Sequence, residues 1–358
     1  MNKKQRIPLN GTFELTGRCN LGCKMCLIRV NQKKMHELKL RERTASEWIH
    51  MAEQAKDAGT LGLLLTGGEI MLRTDFCKIY EAIAQMGFLL TIYTNATMVT
   101  DEIMELLRRY PPHKIGVTMY GASNATYQRL CGCCDGYDRF VDGVSRLTEL
   151  DSLFEIRTTI VKDNLEDLSA MRDFVKQKFG QEEILHVSRM VVNKIRNGIS
   201  CPQKVRLTPD ENIKLIYPWL LDFQQKIKNG EIEKPQNEIR KLDFHNHNVF
   251  CEGKYLFENC GAGINEYAIS WSGRMYACEL LDQGFTEPFK DGFKEAWAKL
   301  PEKYPNSHIV DECRFCKYAK ICDSCPANRL AETGDWFGIP EYACKEASQI
   351  YQILSDIN

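Results

Sequence analysis

The sequence predicts an α/β fold: parallel βα units forming a curved open sheet or partial barrel, followed by a small cysteine-rich region. Two observations carry this. Apolar strand runs and helical patterns alternate about six times between residues 11 and 190. Seven cysteines then fall after residue 256, at short spacings. At 358 residues the chain is long for one core. The expected division is a barrel over 1–205, a helical linker over 206–255 and a cysteine-rich domain over 256–358.

Gly11–Thr16 alternates and is β-prone, so it reads as the first strand. Residues 30–43 are polar and basic and read as a loop. Thr44-Ala-Ser-Glu47 is a capping-box pattern opening a helix that Gly59 ends. Leu61–Thr66 is a buried-strand run. Helix 75–86, strand 89–94, helix 100–109 and strand 115–119 follow, with Pro111-Pro112 breaking the second helix. Helical patterns at 125–130 and 136–150, strand 153–161, helix 164–178 and strand 184–190 complete the alternation. Thr208-Pro209 opens a linker helix reaching about Lys228, interrupted at Pro218. Residues 231–243 are charged and read as a solvent-facing connection. Tyr267–Trp271 and Arg274–Tyr276, joined by Ser272-Gly273, read as a hairpin.

A net charge of −1 gives no electrostatic case for nucleic acid or an anionic membrane. The longest apolar run, Leu61–Leu65, is too short to span a bilayer. No apolar segment follows the basic start at Lys3, Lys4 and Arg6, so no export signal is read. Sixteen cysteines without an export signal read as a cytoplasmic metal-binding chain.

Three of those cysteines stand in one loop after the first strand, Cys19, Cys23 and Cys26, at C-x3-C-x2-C. Thiolates are soft ligands suited to iron–sulfur clusters or zinc. Three of them leave one iron of a 4Fe–4S cube without a protein ligand. Gly67-Gly68-Glu69 closes the second strand. Its glycines admit a ligand close to the backbone, and its carboxylate accepts from an ammonium group.

The cysteine spacing and the Gly-Gly-Glu turn resemble the signatures of radical S-adenosylmethionine (SAM) enzymes. The resemblance implies a partial (β/α)6 TIM-like barrel and a cluster on Cys19, Cys23 and Cys26 that cleaves SAM to a 5′-deoxyadenosyl radical. It assigns Gly67, Gly68 and Glu69 to the SAM amino group, and aligns Thr118 and Arg129 with residues near its carboxylate. A surface-helix role for Arg129 weighs equally. Asn95 is expected near the ribose or substrate. Met25 stands where the family often has an aromatic residue beside adenine. Cys131, Cys133 and Cys134 match no cluster spacing and read as apolar-type thiols.

The later cysteines, C-x12-G-x4-C then C-x2-C-x5-C-x2-C-x18-C, taken alone also suit a zinc ribbon. Together they resemble the SPASM extension of these enzymes, which carries two auxiliary 4Fe–4S clusters. Only Asp323-Ser324 separate the last close pair, where the usual pattern has three residues. By resemblance Cys313, Cys316, Cys322 and Cys344 hold the distal cluster, and Cys260, Cys278 and Cys325 the nearer one. Cys251 is a candidate for the eighth position; without it one iron stays open. Glu279 aligns with an acidic residue that removes a substrate proton in some relatives, and Asp282 is a weaker candidate. A solvated, cluster-flanking carboxylate is the plainer alternative for Glu279. His245 and His247 are read as linker or substrate-facing residues.

The resemblance implies an oxidoreductase that abstracts hydrogen from a peptide or protein and crosslinks, epimerises or oxidises it. The partner expected is a flavodoxin- or ferredoxin-type electron donor; with no leader-recognition domain read before Cys19, a separate recognition protein, direct substrate binding or a protein substrate would each fit. The alternatives are a SPASM dehydrogenase acting on a protein side chain or small alcohol, and a non-enzymatic, metal-stapled binding protein.

Overall fold

The computed structural model describes residues 6–180, 185–188, 191–231, 260–305, 310–319, 321–322 and 324–357. Cys251, His245, His247 and residues 232–243 of the expected connection lie outside the described residues.

Six strands run parallel in chain order: β1 (Asn10–Thr16), β2 (Gly62–Gly67), β3 (Leu89–Thr94), β4 (Lys114–Thr118), β5 (Leu153–Thr159) and β6 (Leu185–Ser188). The helices between them are α1 (Gln32–Glu37), α2 (Ala45–Asp57), α3 (Phe76–Gln85), α4 (Asp101–Arg109), α5 (Asn124–Cys131), α6 (Gly136–Leu147) and α7 (Leu168–Phe179). This is the partial (β/α)6 barrel. After α8 (Pro209–Ile216) and α9 (Pro218–Lys228), the antiparallel pair β7 (Glu266–Ile269) and β8 (Met275–Tyr276) extends the same sheet. β7 lies parallel to β1, from Asn10 opposite Glu266 to Phe13 opposite Ile269, giving the order β6-β5-β4-β3-β2-β1-β7-β8. The helices α10 (Pro288–Asp291), α11 (Phe293–Lys299), α12 (Asp311–Arg314), α13 (Pro326–Thr333) and α14 (Glu341–Ile357) complete the chain.

The chain divides into two compact units. One is Met1–Arg206 with Gly261–Tyr304; the other is Leu207–Cys260 with Pro305–Asn358. Residues 261–304 go with the barrel because β7 continues its sheet, whereas the sequence reading groups them with the cysteine-rich domain. In the second unit α14 packs on α8 and α9. The Asn212 amide donates to the Tyr342 hydroxyl at 2.8 Å, and that hydroxyl donates to the Leu207 carbonyl at 3.0 Å.

Side-chain alternation assigns the two faces of the sheet. Phe13, Leu15, Leu65, Ile92, Ile115, Val117 and Ile156 are fully buried on the helix-covered face. Phe13 anchors that face, its ring centroid 5.1 Å from Trp48 of α2 and 6.5 Å from Tyr267 of β7. The expected caps form: Thr44 and Thr208 make full capping boxes, and Thr100 accepts from Ile103 N–H.

Two expectations are corrected. The loop expected over 30–43 contains α1, because Asn31 accepts from Lys34 N–H at 2.8 Å and Met35 turns inward. The helix expected from Asn164 begins at Leu168. Asn164 is spent on the loop instead, accepting from Val161 N–H at 2.8 Å and donating to the Tyr120 and Thr159 carbonyls. No helix among the described residues is long and apolar enough to cross a membrane.

Phe13 joins three elements, so Phe13→Ala is expected to cost about 3–5 kcal/mol. Anaerobic denaturant unfolding beside the wild-type protein measures this.

Candidate active site

The loop after β1 carries Cys19, Cys23 and Cys26, and the turn after β2 lies directly on its backbone. Gly68 N–H donates to the Thr16 carbonyl at 2.8 Å and Glu69 N–H to the Arg18 carbonyl at 2.9 Å. A Cβ on Gly67 would overlap the Thr16 carbonyl, and one on Gly68 the Arg18 carbonyl. Gly67 also has φ of 139°, in the region that favours glycine. Both glycines are therefore required by the approach of two backbones.

Glu69 is fully buried. Its carboxylate accepts from Met71 N–H at 3.0 Å, Asn95 N–H at 2.8 Å and the Thr94 hydroxyl at 2.9 Å. Burial pushes its pKa up, against the pull of these three donors. Three donors leave room for about one more on a carboxylate. Asn95 reaches the cysteine loop, its amide donating to Asn20 at 2.9 Å and to Cys19 Sγ at 3.7 Å.

Leu21 N–H donates to Cys19 Sγ at 3.4 Å and Arg29 N–H to Cys26 Sγ at 3.3 Å. Burial raises the Cys26 thiol to about 11 and Cys19 further, each pushed up also by neighbouring loop cysteines. The Cys131 thiol and burial hold Cys23 well above the ordinary range. Three partly or fully buried sulfurs close enough to repel as thiolates, two already facing N–H donors, form a set that a cationic iron centre would stabilise. The residues fit a 4Fe–4S cluster with three cysteine ligands.

The remaining expected residues lie in the cysteine loop, at the end of β4, on α5 and after β8. Met25 packs in an apolar cluster with Leu21, Leu130, Val161 and Val205. Thr118 ends β4 beside Arg157 of β5. Arg129 is exposed on α5 and donates to the Asp163 carbonyl at 2.7 and 3.1 Å, as a surface arginine would. Glu279 follows Cys278 and is exposed. Its backbone carbonyl accepts from the Arg196 guanidinium at 2.6 Å, and Arg196 pairs with Glu14 on the inner face of β1, which puts Glu279 beside that face. Asp282 has its pKa raised by burial.

Several contacts were not legible beforehand. Cys131 Sγ lies 3.4 Å from Cys23 Sγ, and its carbonyl accepts from Gly22 N–H at 2.7 Å. Glu42 accepts from Arg18 at 2.8 and 3.1 Å and from the Thr16 hydroxyl. The Ser200 hydroxyl donates to the Cys23 carbonyl at 3.1 Å. The Cys131-Gly-Cys-Cys motif was the one available signal for the first; Glu42 and Ser200 carried none.

In the second unit Cys313, Cys316, Cys322 and Cys344 line one cavity with Tyr318, Ser324 and Arg329. Burial raises Cys322 to about 11, and the charges of Cys344, Cys313 and Cys316 act on it in the same direction. This donor set also fits an iron–sulfur cluster. Cys260 is exposed in the second unit, where Cys325 caps α13 by accepting from Asn328 N–H at 3.4 Å. Cys278 belongs to the first unit and accepts from Leu280 N–H at 3.5 Å.

Residues 13–175 match the family model of the Radical SAM superfamily. The matched segment holds the Cys19, Cys23 and Cys26 loop and the Gly67-Gly68-Glu69 turn. The chain is 25% identical over 342 residues to an AdoMet-dependent heme synthase of Methanosarcina barkeri, covering 90% of this chain and 93% of that protein. It is 22% identical over 339 residues to the antilisterial bacteriocin subtilosin biosynthesis protein AlbA of Bacillus subtilis, covering 88% and 67%. Its fold matches Streptococcus suis SuiB bound to S-adenosylmethionine with a TM-score of 0.66 at 18% identity, over 95% of this chain and 78% of that one. It matches anSMEcpe with bound AdoMet and Cp18Cys peptide with a TM-score of 0.64 at 15% identity, over 98% and 100%.

Because Gly68 touches the cysteine loop, Gly68→Ala is expected to cost about 1–3 kcal/mol. It should also speed thiol labelling of Cys19 several-fold in cluster-free protein. Labelling followed by peptide mass mapping measures the second effect.

Proposed function

We propose that Cys19, Cys23 and Cys26 hold the SAM-cleaving cluster and that the substrate is a peptide or protein from which hydrogen is abstracted. The observation that carries the reading is three thiols gathered in one loop against the Gly67-Gly68 turn. A 4Fe–4S cluster held by these three thiols would supply an electron for the reductive cleavage of SAM to methionine and a 5′-deoxyadenosyl radical.

The chain's own residues bind and orient. Gly67 and Gly68 admit the SAM amino group close to the backbone. Glu69 accepts it with the lone-pair capacity its three internal donors leave. Asn95 holds Cys19 while facing the ribose or substrate, and Met25 supports the adenine side of the loop from beneath. Thr118 takes the SAM carboxylate. Arg129 reaches that group only by leaving the Asp163 carbonyl, so Thr118 carries the role here. Glu279, at the inner face, takes the proton released as the substrate is oxidised. Cys313, Cys316, Cys322 and Cys344 would hold an auxiliary cluster, which would supply the acceptor for the electron the substrate radical loses with that proton.

A peptide substrate is supported by similarity to AlbA, and by the shared fold of SuiB bound to precursor peptide SuiA. The partners that follow are a flavodoxin- or ferredoxin-type donor, a separate leader-recognition protein and a cytoplasmic setting. A second reading, a tetrapyrrole substrate, rests on similarity to heme synthases over nine-tenths of the chain.

Reconstituted protein should hold about twelve irons in three four-iron clusters. Cys19→Ala/Cys23→Ala/Cys26→Ala should lose about four of them and all SAM cleavage; Cys313→Ala/Cys316→Ala should lose about four others. Mass spectrometry of a cysteine- or aromatic-rich precursor co-expressed with the enzyme should show loss of two hydrogens, or deuterium uptake on epimerisation. An unmodified precursor alongside turnover of Fe-coproporphyrin III would replace the first reading by the second.

A further inference from the structure

The inner face of the barrel carries an unbalanced group of charges that the proposed SAM site does not use. Lys114 of β4 and Arg157 of β5 point away from the buried face formed by Ile115, Val117 and Ile156. Among the described residues both pair with one carboxylate, Glu155: Arg157 at 3.2 Å, and Lys114 in close contact. Two cations on one anion leave a surplus positive charge. Arg157 cannot shed its proton, so the surplus persists at any working pH.

The site is built rather than incidental. Arg157 lies 4.3 Å over the Tyr93 ring and hydrogen-bonds its hydroxyl. Both side chains occupy the space above Gly116, where a Cβ would stand 2.5 Å from the Tyr93 ring. Arg157, Lys114 and Glu155 are about one-third, one-third and one-fifth exposed, so they are reachable but partly desolvated. In such surroundings an unmatched charge attracts a counter-ion strongly.

The β1 end of the same face carries a buried ion pair of its own. Glu14 pairs with Arg196, and the Glu14 Oε2 atom is buried with no hydrogen-bond partner among the described residues. Arg196 also donates to the Glu279 carbonyl at 2.6 Å, so Glu279 stands on this side, while Arg157 holds the Tyr93 hydroxyl on the other.

We propose that Lys114, Glu155, Arg157 and Tyr93 form a subsite that binds a carboxylate of the substrate, with Glu279 across the same space. This deepens the proposed function and rests on its reading that the substrate occupies the barrel interior. A guanidinium stacked on a ring, with part of its fork left over, suits a carboxylate better than a neutral amide. An acidic side chain or a terminal carboxylate of a peptide supplies that group, as does a tetrapyrrole propionate.

Saturation-transfer NMR on the reconstituted holoenzyme with SAM present tests this. The probes are N-acetyl-glutamic acid α-amide (side-chain carboxylate), N-acetyl-alanine (terminal carboxylate), Fe-coproporphyrin III by optical titration, and N-acetyl-glutamine amide as neutral control. The expected result is carboxylate binding that weakens at least tenfold in Arg157→Gln, less in Arg157→Lys, with SAM affinity unmoved. Circular dichroism and iron content check that both variants fold. Arg157-dependent binding of Fe-coproporphyrin III alone keeps the subsite and overturns the peptide reading. Equal binding of the neutral probe, no binding of any carboxylate, or an Arg157→Gln effect on SAM instead overturns the subsite. Release of 5′-deoxyadenosine by the wild-type enzyme, measured alongside, tests the proposed function separately.

Discussion

The site depends on two backbone hydrogen bonds, from Gly68 N–H to the Thr16 carbonyl and from Glu69 N–H to the Arg18 carbonyl. They join the end of β2 to the cysteine loop leaving β1. Parallel pairing of β1 with β2 brings these ends side by side, and only glycine lets them touch. The Glu69 carboxylate then locks the end of β3 through Asn95 N–H, and the Asn95 amide returns to Cys19. Three adjacent strand ends thus set one loop, at the carboxyl ends of parallel strands where α/β folds gather their chemistry.

Three partly or fully buried thiols make that loop costly to assemble in the absence of a metal. Burial and mutual repulsion raise the thiols of Cys19, Cys23 and Cys26, so the metal-free chain holds protons that ligation must displace. Metal binding releases those protons and relieves the repulsion, which couples the folding of the loop to its loading. The surrounding structure limits how far it relaxes. Ser200 and Cys131 hold the loop from one side, and Arg18 on Glu42 from the other. The cavity lined by Cys313, Cys316, Cys322 and Cys344 repeats the same physics in the second unit.

Local signals in the sequence carried far. Apolar runs located all six parallel strands, and Thr44, Thr100 and Thr208 marked helix starts because a cap is a contact within four residues. The short helix α1 was missed because its single inward residue, Met35, makes no apolar stripe. Long-range pairing was not legible: nothing in Tyr267–Trp271 says that β7 joins β1. The site divides the same way. The Cys19, Cys23 and Cys26 loop and the Gly67-Gly68 turn each stood out as a motif, but that their backbones meet did not. The Cys131 thiol beside Cys23 and the Asp163 carbonyl that holds Arg129 depend on how distant segments meet.

The most direct test of the account is SAM cleavage by the reconstituted, chemically reduced protein under anaerobic conditions. Equal amounts of 5′-deoxyadenosine and methionine are predicted. A protein carrying its full complement of iron and sulfide that binds SAM and releases neither would contradict the account, leaving a metal-stapled protein on this fold.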